Sequence, residues 1–182
     1  MPTNIQTLQQ FTNNKVFVET GAYIGDGIKL AHDAGFKTII SIEIAKQFCE
    51  QCANRFKDVD GIRIVMGDSA VVLEKVIEEI TEPITFWLDG HYSGGNLPTG
   101  KYLSPLIQEL EAIKQHPIKS HTILIDDVRC WRDMNNIYHN NFNVDTLVSK
   151  VLEVNPNYNV TFIDGIQTFG EVLPKDILVA KI

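Results

Sequence analysis

Runs of β-branched and aromatic residues alternate with amphipathic stretches along the chain, and the last two runs have no helix-length segment between them. That order limits the fold more than any other feature of the sequence. Strands are predicted near 15–20 (KVFVET), 37–42 (KTIISI), 62–66 (IRIVM), 84–88 (ITFWL) and 121–125 (HTILI). Helical periodicity fits 25–34, 45–56, 69–80 and 103–115, with Ser104-Pro105 as a start signal for the last, and a further helix fits 144–154. Strands joined by crossover helices run parallel in one sheet. The tail departs from this: YNVTFID and DILVAKI are joined only by GIQTFGEVLPK, too short for a crossover helix, so they are expected to pair antiparallel.

The expected architecture is therefore α/β, a Rossmann-like seven-stranded, mostly parallel sheet with helices on both faces and an antiparallel C-terminal strand pair. At 182 residues, 44% of them hydrophobic and 21% charged, the chain suits a single domain spanning 1–182. A formal charge of -7 opposes broad binding to nucleic acid, which needs concentrated Lys and Arg. No apolar run is long enough to span a bilayer, and MPTNIQTLQQ is neither a signal nor a transit sequence. A soluble, cytoplasmic protein without a membrane or nucleic-acid partner is expected, with self-association into a homo-oligomer left open. Cys49, Cys52 and Cys130 cannot form an even disulfide framework, and the Cys49–Cys52 pair lacks the second ligand pair of a zinc site. They are expected to be reduced.

In open α/β sheets a ligand sits beyond the carboxyl ends of the strands, near the point where strand order reverses. The first strand ends in Glu19-Thr20-Gly21-Ala22-Tyr23-Ile24-Gly25-Asp26-Gly27, where glycines permit a tight turn and close approach to a ligand. Glycines there also serve turns alone. The acid separates the cofactors: a carboxylate at Glu19 would repel a pyrophosphate but accept a hydrogen bond from the ammonium of a methionine moiety, which favours S-adenosylmethionine over NAD. Glu43 ends the second strand, where an acid can hold ribose hydroxyls. Asp68 and Ser69 follow the third strand and can either meet an adenine amino group or cap the next helix. Three acids at successive strand ends are hard to attribute to independent turn chemistry.

The fourth and fifth strands run into WLDGHY and LIDDV. As neighbours they would bring Asp89, Asp126 and Asp127 to one rim as hard oxygen donors suited to Mg²⁺ or a similar divalent cation. A metal chelated by adjacent substrate hydroxyls would orient an acceptor oxygen and lower its proton affinity, with Asp89 or His91 as the base. The plainer alternative is that Asp126 and Asp127 only begin a loop and His91 lies on the surface. Two long connections, 89–102 and 127–143, are expected to border the acceptor pocket. Tyr92, Tyr102, Arg129, Trp131, Arg132, Tyr138 and His139 mix aromatic faces with donors, as a sugar or another polyhydroxylated acceptor would require. Gly94, Gly95 and Gly100 suggest a lid.

Taken with these motifs, nearly the whole chain resembles the class I, metal-dependent O-methyltransferases of the catechol and macrocin O-methyltransferase kind. ETGAYIGDG is similar to that family's first cofactor motif at Glu19, Gly21, Tyr23 and Gly25, and SIE to its second at Glu43; Asp68 matches the adenine-side position less closely. The resemblance implies Asp89, Asp126 and Asp127 as metal ligands, with Asp89 also beside the cofactor. Two departures matter. Tyr92 stands where the catechol enzymes carry a lysine base, whereas sugar-modifying relatives imply an aspartate or histidine base, matching Asp89 and His91. The first strand begins so early that the amino-terminal helices covering the acceptor in many relatives are expected to be short or absent, leaving an open pocket for a glycan-sized acceptor. The expected activity is S-adenosylmethionine-dependent O-methylation of a sugar, glycan or other small molecule. The competing readings are a non-catalytic module that binds a protein or glycan, and a nicotinamide-dependent oxidoreductase, the latter opposed by Glu19.

Overall fold

A strand covered on both faces carries apolar side chains at successive positions, and the two strands at the middle of this chain's sheet do so. In the computed structural model, which describes residues 3–92, 94–95, 97–133, 143–166 and 170–182, β1 (Val16–Thr20) and β4 (Ile84–Leu88) are buried at every position. With β2 (Thr38–Glu43), β3 (Ile62–Met66), β5 (Thr122–Ile125), β6 (Asn159–Ile166) and β7 (Val172–Lys181) they form one sheet in the order β3-β2-β1-β4-β5-β7-β6. β1 pairs parallel with β2 and β4, while β7 lies antiparallel between β5 and β6. The seven strands and the antiparallel terminal pair are as the sequence predicts.

Alternate residues of each strand feed two cores. Val16, Val18, Phe86, Leu88, Ile123 and Ile125 pack with α4 (Ser69–Ile77), α5 (Leu106–Gln115) and α7 (Val144–Val154) on one face. Phe17, Ile39, Trp87, Leu124 and Val179 pack with α1 (Ile5–Gln9), α2 (Asp26–Ala34) and α3 (Lys46–Arg55) on the other. Full burial of each such side chain contributes roughly 1.5–3 kcal/mol, so the central strands are the least able to shift. No helix among the described residues is long and apolar enough to cross a membrane. Cys49, Cys52 and Cys130 are free thiols.

Two buried histidines join the strand starts beneath the sheet. The Ile84 amide donates to His121 Nδ1 (3.0 Å), so Nε2 carries that ring's proton and donates to His116 Nδ1 (3.0 Å). His116 Nε2–H then faces the carbonyls of Ile77 and Ile80, each at 3.1 Å. Every ring nitrogen is committed with both rings neutral. Burial, the neighbouring His116 and Lys119 push His121 down to about 4. Because this lies below the ordinary histidine value, its contribution to stability is complete above about pH 6.5 and is lost as pH falls towards 4, amounting to about 3 kcal/mol. Denaturant unfolding at pH 7 and pH 4.5 should therefore show a smaller acid loss in His121→Gln than in the wild type. Equal losses would contradict the assignment.

Candidate functional site

After β1 the chain turns toward β2 on one face, and after β4 it turns toward β5 on the other, which opens a crevice at the β1–β4 boundary. The two strand ends are tied closely. The Asp89 amide donates to the Thr20 carbonyl (3.2 Å) and to Thr20 Oγ1 (3.1 Å). Gly21 adopts φ +86°, and a Cβ there would lie 2.4 Å from the Asp89 carbonyl oxygen. Backbone cannot yield as a side chain can, so Gly21→Ala should cost on the order of 3 kcal/mol and distort the crevice. A melting temperature unchanged from wild type would refute this.

The crevice widens into a cavity of about 800 Å³. Its walls include Glu19, Gly21, Tyr23, Glu43, Asp68, Ser69 and Asp89 from the strand ends, His91, Tyr92, Leu97–Gly100 and Tyr102 from the following connection, Thr3 from the segment before α1 and Ile166 from the end of β6. Of the expected cofactor-side residues, Gly25 alone is not on the wall; a Cβ there would strike the Phe56 ring at 2.7 Å, so its role is to let α3 approach the turn. Cys52 Sγ, 3.2 Å from the Tyr23 carbonyl, helps hold that turn.

Glu19 accepts a hydrogen bond from Ser41 Oγ (2.6 Å), yet burial dominates and pushes its carboxyl up to about 8. Glu43 accepts from the Tyr23 amide (2.8 Å) and the Ala45 amide (2.7 Å), one on each oxygen, which fixes the carboxylate and leaves each oxygen a further lone pair. Tyr23 holds a left-handed φ of 48°, and its ring meets Phe48 edge-on at 4.6 Å. Asp68 caps α4 through the Ala70 amide (3.0 Å), and its other oxygen accepts from the Lys101 amide (3.0 Å). That second bond lays the 97–102 segment over the end of β3. Gly100 is required there, because a Cβ would fall 2.3 Å from Asp68 Oδ2. Asp68 thus faces the cavity while both its oxygens already serve the backbone.

The chemical residues form two clusters that share Asp127. Ligand atoms of Asp89, His91 and Asp127 lie within 4.8 Å of one another, as do those of Asp126, Asp127 and Asp176. His91 Nε2 is 2.6 Å from Asp127 Oδ2 and 3.5 Å from Asp89 Oδ1. Burial lowers the proton affinity of His91, but the Asp127 hydrogen bond and the charges of both aspartates outweigh it and raise the ring to about 8. Burial lifts Asp89 to about 6. Burial and the charges of Asp89 and Asp127 raise Asp126 well above the carboxylate range. Asp127 moves the other way: burial would raise it, and His91 and Arg129 together hold it low. Asp126 Oδ1 accepts the Asp127 amide (2.7 Å), while its buried Oδ2 has no hydrogen-bond partner.

Sequence reasoning missed Asp176, an acid inside β7 that is 1% exposed and pairs with the Arg129 backbone amide (2.7 Å) and guanidinium. Arg129 also reaches Asp127 Oδ1 (2.7 Å). The 127–143 connection differs from its expected role where it is described. α6 (Arg129–Arg132) turns Trp131 into the core, and Arg132 binds the carbonyls of Pro174 and Lys175 rather than the cavity. Tyr138 and His139 lie outside the described residues. Tyr92 and Tyr102 do line the cavity.

No family model matches the sequence, and no curated protein matches it. Solved structures match the fold along its whole length. An O-methyltransferase from Bacillus cereus in complex with S-adenosylhomocysteine superposes with a TM-score of 0.70 at 14% identity, covering 100% of this chain and 82% of that one. The O-methyltransferase TomG from Streptomyces achromogenes, in complex with S-adenosylmethionine, gives 0.66 at 14% identity over 98% of this chain and 78% of that one. The S-adenosylhomocysteine-bound methyltransferase PaMTH1 from Podospora anserina gives 0.62 at 14% identity, covering 97% and 75%. The chain has the Rossmann-like fold of these methyltransferases.

Proposed function

We propose that the protein is an S-adenosylmethionine-dependent O-methyltransferase acting on a hydroxyl of a sugar or another polyhydroxylated small molecule. One observation carries the reading: Glu19, Glu43 and Asp89, at the ends of three successive sheet neighbours, wall a single cavity at the strand-order switch. Glu19 is an acid held at a cost in a buried place and Asp89 one held in a half-buried place, so the cavity favours a ligand that brings positive charge. S-adenosylmethionine does so through its sulfonium and ammonium groups. Glu19 is assigned to the ammonium, Glu43 to the ribose hydroxyls, and Asp68 and Ser69 to the adenine side, with Tyr23 and Gly21 shaping the turn beneath.

In the transfer, the acceptor oxygen forms a bond to the methyl carbon as the carbon–sulfur bond breaks, and the hydroxyl proton goes to a base. His91 fills that role, oriented by Asp127, whose carboxylate is held by Arg129 while Asp176 anchors that guanidinium. The ring is protonated at neutral pH in the unliganded protein. A sulfonium bound in the cavity would lower its proton affinity by like-charge repulsion, so His91 would act as the base in the cofactor-bound protein. Tyr92, Thr99 and Tyr102 supply aromatic faces and hydroxyls to the wall beside it, which suits a polyol.

A divalent cation would fit either of two donor sets, Asp89, His91 and Asp127 or Asp126, Asp127 and Asp176, the second containing the buried Asp126 Oδ2 that lacks a partner; the predicted set of Asp89, Asp126 and Asp127 is neither of these. A cation held through Asp89, which lines the cavity, would bring two acceptor hydroxyls together and make one more acidic. A second reading, favoured by the His91 and Arg129 contacts to Asp127, is a metal-free site whose acids are balanced by its own cations. Methyl transfer from labelled S-adenosylmethionine to a panel of glycosides and catechols, with and without a chelator, tests both. Transfer abolished by the chelator and restored by Mg²⁺ is expected for the metal site, and chelator-resistant transfer for the second reading. Binding of the cofactor without transfer to any hydroxyl acceptor would contradict the enzymatic reading.

A further inference from the structure

A carboxyl group buried inside a helix–sheet interface is expensive unless the fold uses it, and Glu109 is 1% exposed on the sheet-facing side of α5. It follows Leu106 and precedes Leu110 and Ile113 on the same apolar stripe. The carboxyl lies where three site-bearing segments meet. The hydroxyls of Thr20, at the end of β1, and Ser69, at the start of α4, lie beside it and favour its ionised form against the effect of burial. From β4 comes Gly90: a Cβ there would sit 2.9 Å from Glu109 Oε1 and 3.1 Å from both Ser69 Oγ and Pro105 Cγ. Oε1 has no hydrogen-bond partner of ordinary geometry and is closed off from solvent.

We propose that Glu109 is a positioning residue: from the first turn of α5 it gathers the ends of β1 and β4 and the start of α4 against Gly90, fixing the backbone that carries Asp89 and His91. The path is short. Thr20 Oγ1 accepts the Asp89 amide, so its own hydroxyl proton is free to point at Glu109. Ser69, whose side chain lines the cavity, turns its hydroxyl to the same carboxyl. Gly90 is the thin wall between Glu109 and the cavity, and any larger residue would push the strut and the strand end apart. The link to catalysis rests on the methyltransferase reading, whereas the strut itself does not.

The test compares wild type, Glu109→Gln and Glu109→Ala by calorimetry with S-adenosylhomocysteine and by the amide resonance of Gly90. Gln keeps an acceptor of the same shape, so its affinity should stay within about threefold of wild type, while Ala should lose about tenfold or more. The Gly90 resonance should move in Glu109→Ala and return toward wild type in Glu109→Gln. A Thr20→Val, Ser69→Ala double variant, which removes the donors and leaves the carboxyl, should also move it and keeps the test informative where Glu109→Ala does not fold. A Gly90 resonance unmoved in a folded Glu109→Ala, or in the double variant, would overturn the proposal and leave Glu109 as filler. If the wild type fails to bind S-adenosylhomocysteine, the cofactor reading falls, but the Gly90 resonance still decides the role of Glu109.

Discussion

Glu19→Gln is expected to stabilise the unliganded protein while weakening its affinity for S-adenosylmethionine by about 10- to 100-fold, the range set by a hydrogen bond to a charged group. The two effects share one cause. Burial raises the Glu19 carboxyl to about 8, above its ordinary value. A group raised in this way contributes stability that is complete below about pH 4.5 and is lost as pH rises through 8. At pH 7 the loss is on the order of 3 kcal/mol, which an uncharged amide avoids. The melting temperature should rise by roughly 5–10 °C at pH 7, with little difference from wild type at pH 4.5. The carboxylate is nonetheless the group that meets the ammonium, so the stabilised variant binds less well. A destabilised Glu19→Gln that keeps full affinity would remove Glu19 from the site.

His91→Asn should lower kcat by about 10²- to 10⁴-fold while leaving S-adenosylhomocysteine affinity within about threefold, as loss of a general base does. Asp127 loses its closest partner in this variant, but Arg129 still holds the carboxylate. The wild-type rate should rise with pH along a single ionisation at or below about 8, because the cofactor's charge lowers the ring from that value. Asp126→Ala should abolish turnover only if a metal is used. Its carboxyl does not line the cavity, so cofactor affinity should be unaffected. An active His91→Asn with an unchanged pH profile would assign the base elsewhere, with Asp89 next in line.

The parts of this architecture that were legible in the sequence are those where local pattern and burial agree. β3 and β4 occupy the predicted residues because their apolar runs are bounded by glycine, proline and aspartate, and α7 does so because Asn143 caps a regular stripe. Shorter elements escaped: α1 has five residues and α6 four, too few for a period to register. β7 begins at Val172 rather than Asp176, since Pro174 and the left-handed Lys175 interrupt the run that would reveal it. In the site, the acids at strand ends were readable because chain order and sheet order coincide from β3 to β1. Asp176 and Arg129 were not, because their meeting depends on β7 inserting beside β5. Trp131 misled for a related reason: composition does not tell which way a four-residue helix turns its ring. Glu109 was legible in principle, as an acid on the apolar stripe of Leu106, Leu110 and Ile113.

The central claim is that the cavity takes a cationic adenosyl cofactor against Glu19 and Asp89, and calorimetric titration with S-adenosylmethionine at pH 7 in two buffers of different ionisation heat tests it most directly. Glu19 is largely protonated before binding. A ligand carrying positive charge must displace that proton, and its sulfonium the one on His91, so S-adenosylmethionine should bind one-to-one with up to about two protons released, whereas S-adenosylhomocysteine, which keeps the ammonium but has an uncharged sulfide, should bind more weakly with up to about one. Absence of binding at millimolar ligand, or binding whose heat is the same in both buffers, would contradict it.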